Sequence, residues 1–202
     1  MIAAIILAAG RSSRMGRSKA LLPHTDPHTT FIAHLIRSAR AAGATPILVV
    51  GRPDDPAVRA EAEGEGALFV PNPRADEGQL SSLIAGLDVA AADSDVTGVL
   101  VTPVDVALVS AAVMERVVRS VGTSDASIFR ATHAGRHGHP VLFKREVFED
   151  LRRADPSVGA KSVLRANPAR VLEVEVHDES VTLDVDTSED YLRMFRRSTE
   201  AL

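Results

Sequence analysis

The opening stretch, IAAIILAAGRSSRMGRSKALLP, constrains this chain more than any other part of it. Ile2 to Leu7 is an unbroken apolar run with the length and β-branched content of a strand buried on both faces. It breaks into Ala8, Ala9 and Gly10, where larger side chains would block the approach of a ligand to the backbone. Arg11, Arg14, Arg17 and Lys19 follow within nine positions. A strand, a glycine turn and clustered cations together make a cradle for phosphate, with main-chain N–H groups and side-chain charge both available.

Two common phosphate motifs are excluded. Neither Gly10 nor Gly16 is followed in the manner of GxxxxGK[ST], and GxGxxG is absent. From Leu7 to Pro23 the stretch instead resembles the signature of the MobA-like nucleotidyltransferases, LAAGxSxRMGxxKxLLP, with every fixed position met. The resemblance implies a single-domain, three-layer α/β/α Rossmann-like (GT-A-like) nucleotidyltransferase fold on a mostly parallel mixed sheet. It also implies that Leu7, Ala8, Ala9, Gly10, Ser12, Arg14 and Lys19 bind a nucleoside triphosphate, with Arg14 on the terminal phosphates and Lys19 at the α-phosphorus.

Composition narrows the rest. A chain of 202 residues fits one domain, expected to span 1–202, with a core that needs no staples. Aromatics make up 3% with no Trp, so the core must be aliphatic, which suits helices on a sheet better than a sandwich. A net charge of −4 gives no global attraction to nucleic acid. The absence of cysteine removes disulfides, thiolate metal sites and Cys nucleophiles. No apolar run approaches the length of a membrane span, and the N-terminal run is too short for a signal peptide, so no membrane association and a cytoplasmic location are expected.

Along the chain, Phe31, Ile32, Leu35, Ile36 and Ala39 repeat at helical spacing up to Gly43. Further strands are expected at 46–50, 68–70 and 98–102, with helices between them near 56–63 and after Ser82. A helix capped by Ser110 follows Asp105. The second half reads as strands at 127–132 and 141–143 around a glycine turn, two helices near 146–153 and 159–165, strands at 171–176 and 181–185, and a helix from Ser188. Early alternation of strand and helix argues for a parallel sheet covered on both faces, and the later hairpin makes it mixed.

Ligands of open α/β sheets bind at the carboxyl ends of the strands. Asp105, just past the Val99–Val101 run, stands where the family carries the aspartate that holds Mg²⁺. The relatives' GDQP is Val104-Asp105-Val106-Ala107 here, which keeps the charge and loses the Gln and Pro where the resemblance puts acceptor recognition. Asp184-Val185-Asp186-Thr187-Ser188-Glu189-Asp190 resembles DxDTPED. Strand alternation would put Asp184 and Asp186 on one side, so either is a candidate metal ligand, while Thr187 or Ser188 caps the helix that follows. Asn72 and the segment Gly78, Gln79, Ser81, Ser82 match the family's base and ribose segment. Gly138, His139 and Pro140 match its acceptor segment GHPVLF. The set His133, His137, His139 spans a tight turn without a Cys and does not read as a zinc site. Lys161 reads as a solvated helix cation.

The reaction implied is transfer of a nucleotidyl group, CMP by the LAAG form of the loop, to a small phosphorylated acceptor such as molybdopterin cofactor. Arg14, Lys19 and Asp105 would be catalytic, and Mg²⁺ the cofactor. A partner enzyme would receive the product in a transient complex. Some MobA-like proteins are NAD(P)H-dependent oxidoreductases of the nicotine blue type, so the resemblance carries a second activity as well.

Overall fold

The computed structural model describes residues 1–11 and 18–195. Ser12 and Arg14, expected to bind nucleotide, lie outside the described residues. Seven strands form one mixed sheet in the order β3-β2-β1-β4-β6-β5-β7. They are β1 (Ile2–Leu7), β2 (Ile47–Gly51), β3 (Leu68–Pro71), β4 (Gly98–Pro103), β5 (Ile128–His133), β6 (Arg136–Lys144) and β7 (Val171–Glu175). The first four pair in parallel, β6 runs antiparallel to β4 and β5, and β7 returns parallel to β5.

The helices are α1 (Phe31–Ala41), α2 (Pro56–Gly64), α3 (Gln79–Ala91), α4 (Ala111–Ser120), α5 (Phe148–Arg152), α6 (Lys161–Ala166) and α7 (Ser188–Phe195). Alternation along β1 explains the layers. Ala4 and Ile6 enter the core under α1, α2, α4 and α7, while Ala3, Ile5 and Leu7 enter the one under α3, α5 and α6. Both faces of the sheet are therefore dry, and the strands read as continuous apolar runs for that reason. Caps set the helix starts. Thr30, Asp55 and Ser110 each accept from the N–H three residues on, and Gly43 ends α1 at φ +82°.

One element departs from the sequence reading. The stretch 181–185, expected as a strand, is a 3₁₀ turn over Glu179–Thr182 followed by extended chain outside the ladder. It packs across β6 so closely that a Cβ on Gly138 would lie 2.0 Å from the Val181 carbonyl oxygen. Its pairing is with a loop: the Val185 N–H donates to the Asp105 carbonyl at 2.9 Å. The sheet thus ends at β7, and the apparent extra strand becomes a strap over the carboxyl end of β4.

Candidate active site

The chain runs from β1 outward to β2 and β3, then crosses to β4 on the other side of β1, which makes a switch point between β1 and β4. A cleft of about 370 Å³ opens there. Leu7 to Gly10 form one wall, Ala75, Gly78, Gln79 and Ser82 the other, and Lys19, Asp105 and Asp186 the floor between them. The first wall is backbone. Among the described residues a Cβ built on Gly10 would meet no atom within 4 Å. Gly78 opens α3 at φ +101°, a conformation that strains any residue with a Cβ.

Behind the second wall, Asn72 is buried and fully used. Its amide donates to Ser81 Oγ at 2.9 Å and Ser82 Oγ at 3.0 Å, and its oxygen accepts from the Arg74 N–H at 2.9 Å. Ser81 Oγ in turn lies 2.8 Å from the carbonyl oxygens of both Arg74 and Gly78. Asn72 and Ser81 brace the loop, and of the two serines Ser82 lines the cleft. Across the mouth, Arg11 makes a two-point bond to Asp76 at 2.9 and 2.7 Å, and Arg52 at the end of β2 bonds the same carboxylate at 2.9 Å. These two guanidinium groups hold the Asp76 carboxyl well below the usual range.

On the floor, the Lys19 ammonium lies 2.8 Å from Asp186 and 3.9 Å from Asp105, with the lysine side chain only 12% exposed. Burial raises the Asp105 carboxyl above its ordinary value, Lys19 draws it down, and Asp184 and Asp186 raise it further. Burial and then Asp186 also raise Asp184. The Val185 bond to Asp105 brings the two carboxylates that flank Val185 in the chain to the β4 loop. They are not equivalent, as strand alternation would have made them. Asp186 faces the cleft, and Asp184 faces a second pocket. Thr187 and Asp190 are consumed in a reciprocal cap of α7, each accepting from the other's N–H.

The second pocket, about 450 Å³, shares Leu7 and Gln79 with the cleft. Gly138 and His139 line it, while Pro140 is buried beside them. Burial lowers the His139 imidazole to about 4, so it is neutral at pH 7. His133 bonds the Val176 carbonyl and His137 lies 3.3 Å from Glu173. Among the described residues no three acidic or histidine side chains form a group that holds a metal by itself.

Sequence reasoning missed the pins behind Asp105. His24 and His34 stack with ring centroids 4.0 Å apart, and they bond the carbonyls of Ala107 and Val109 at 3.1 and 3.0 Å. Tyr191 donates to the Pro23 carbonyl at 3.0 Å. No spacing rule joins positions so far apart. The same loop corrects another expectation, because Val106 and Ala107 are 1% and 0% exposed in the core under α1 and α4 and line neither pocket.

Residues 4–171 match the model of the MobA-like NTP transferase domain. The chain belongs to that family. It is 30% identical to nicotine blue oxidoreductase of Paenarthrobacter nicotinovorans over 96% of both chains. It is 36% identical to a molybdenum cofactor guanylyltransferase of Xanthomonas euvesicatoria, over 56% of this chain and 52% of that one. A crystal structure of Rv0371c from Mycobacterium tuberculosis in complex with manganese superposes with a TM-score of 0.72 and 30% identity, over 96% of this chain and 98% of that one. The nucleotidyltransferase architecture implied by the N-terminal signature is the one this chain adopts.

Proposed function

We propose that this chain transfers a nucleotidyl group from a nucleoside triphosphate to a small phosphorylated acceptor, releasing pyrophosphate. The observation that carries the reading is the largely buried lysine between two aspartates at the switch point, between a backbone wall and a second pocket. The Ala8–Gly10 backbone, with Arg14 and Ser12 from the signature, would hold the triphosphate. Gly78, Gln79 and Ser82 would take base and ribose, with Asn72 and Ser81 fixing their loop. Lys19 would neutralise charge developing at the α-phosphorus. The acceptor's phosphate oxygen is already an anion, so positioning suffices and no general base is needed.

A hard dication takes oxygen ligands, and one or two carboxylates plus phosphates are enough. Asp105 with Asp186, or with Asp184, supplies that donor set, and the upward push on Asp105 and Asp184 is one that a cation relieves. Mg²⁺ held there would supply charge neutralisation and a template for the phosphates. The manganese complex of Rv0371c supports a divalent ion. CTP is favoured by Ala9, whose methyl stands where the guanylyltransferase form LAGG has glycine. Swapped nucleotide preference in Ala9→Gly would support that choice, and an unchanged preference would contradict it.

Lys19→Ala and Asp105→Ala each lower turnover by about 10²–10³-fold with the fold intact, read as pyrophosphate release against a panel of organic phosphates. A near-normal rate in either variant overturns the assignment. The likeness to nicotine blue oxidoreductase over nearly the whole chain favours a second reading, NAD(P)H-dependent reduction in the same cleft. Hydride transfer does not need Lys19 and Asp105, so the same two variants separate the classes.

A further inference from the structure

We propose that the second pocket takes an acceptor with an apolar body and a phosphate end, and that Lys161 binds the phosphate. The proposal rests on the transferase reading and specifies the acceptor that reading leaves open.

The floor of the pocket is aliphatic and aromatic: Leu83, Val101, Val141, Phe143 and Leu164, from four different elements. A floor of this kind offers a body little hydrogen bonding and rewards apolar area. The charged and titratable groups on the walls are Arg130, His137, His139, Lys161 and Asp184. Arg130 is spent, since it bonds both carboxylate oxygens of Glu173. His137 faces the same carboxylate at 3.3 Å. His139 is buried and neutral. Asp184 lines the pocket and feels the charges of Asp186, Lys19 and Lys161.

Lys161 is different. Among the described residues Lys161 is in no ion pair, although it is close enough to Asp184 and His139 for their charges to interact. It is the first residue of α6, an end of a helix that disfavours a cation. Gly159, at φ +74°, turns the chain just before it. Lys19 lines the cleft with Asp186, and Lys161 lines the pocket with Asp184. Two phosphates must approach one another in this reaction, and each would have its own lysine.

The test is an NMR titration of the full chain with phenyl phosphate and with glycerol 3-phosphate, each in the presence and absence of CTP and Mg²⁺. Phenyl phosphate should bind about tenfold tighter than glycerol 3-phosphate, which has the same charge and a polar body. Lys161→Met should weaken phenyl phosphate about tenfold, Lys161→Arg should restore it, and CTP binding should be unchanged in both. Equal binding of the two phosphates, or phenyl phosphate unaffected by Lys161→Met, overturns the proposal. Failure of CTP to bind the wild-type chain would overturn the transferase reading, and the nucleotide-free titration would still decide the role of Lys161.

Discussion

The two halves of the site are built by different means. On the side of β1 to β4 the cleft is walled by main chain, small residues and a braced loop, and its strands are all parallel. On the side of β5 to β7 the pocket is walled by side chains, and its wall is closed by a strap held against β6 and the β4 loop. Parallel strand ends present backbone N–H groups to a common crevice, which suits a ligand whose phosphates are invariant. A side-chain pocket changes with every substitution, which suits a partner that varies between relatives. A nicotine blue oxidoreductase and a molybdenum cofactor guanylyltransferase resemble this one chain, which fits a scaffold divided in that way.

The comparison can be broken most severely at Gly138. Its added Cβ would meet the Val181 carbonyl at 2.0 Å, a backbone atom that cannot swing aside. Gly138→Ala should cost about 3 kcal/mol or more and loosen the strap. Thermal unfolding would read the loss. Nucleotide binding in the surviving folded protein should weaken less than binding of organic phosphate; equal weakening would show that the halves are not separable.

Asn72→Ala attacks the other half. It removes the Asn72 side-chain bonds to the Arg74 N–H and to the Ser81 and Ser82 hydroxyls, at about 1–3 kcal/mol. Nucleotide affinity should fall while phenyl phosphate binding holds, as calorimetry and NMR would show.

Acid probes both halves through their histidines. His24 behind the cleft and His139 in the pocket are both held near 4 by burial, against 6.5 for the ordinary group. The unfolded chain therefore binds protons near pH 6.5 that the folded chain refuses until about pH 4. Their contribution to stability is complete above about pH 6.5 and is lost as pH falls through that window. Melting temperature followed from pH 7 to pH 4 should fall less steeply in His24→Gln than in the wild type, and a parallel profile would remove His24 from the account.

The smallest effect is at Asp76. Arg11 and Asp76 are 65% and 60% exposed, so solvent and salt screen their pair. Asp76→Asn should leave the melting temperature within error and weaken nucleotide binding a few-fold, with the difference vanishing in high salt. An effect that persists in high salt would show that Asp76 does something other than tie the two walls.

What the sequence made legible follows the same division. The stretch from Leu7 to Lys19 stood out because strand, turn and cation are neighbours in the chain, and Leu7 to Gly10 and Lys19 line the cleft. Asp105 was singled out by the family resemblance, since a place after a strand alone reads equally as a turn or cap, and it lines the cleft. Asn72 and Ser81 were read as ligand contacts because polar residues beside a glycine look alike whether they face a base or brace a loop. The pins at His24 and His34, the bridge from Arg11 to Asp76 and the bond from Val185 to Asp105 join residues far apart, and no period or motif encodes such pairings. The strap was misread as a strand because its alternation is real, but it has no ladder to join. Lys161 looked like an ordinary helix cation until the fold set it over an apolar floor.

The central claim is that the cleft is a metal-dependent nucleoside triphosphate site. Calorimetry of CTP, GTP, ATP, NADH and NADPH, each with and without Mg²⁺, tests it most directly, with Asp105→Ala as the control. The account predicts that one triphosphate, CTP, binds only with Mg²⁺ and that Asp105→Ala abolishes the binding. Tight binding of a reduced dinucleotide, indifferent to Mg²⁺ and to Asp105, would contradict it and give the cleft to redox chemistry.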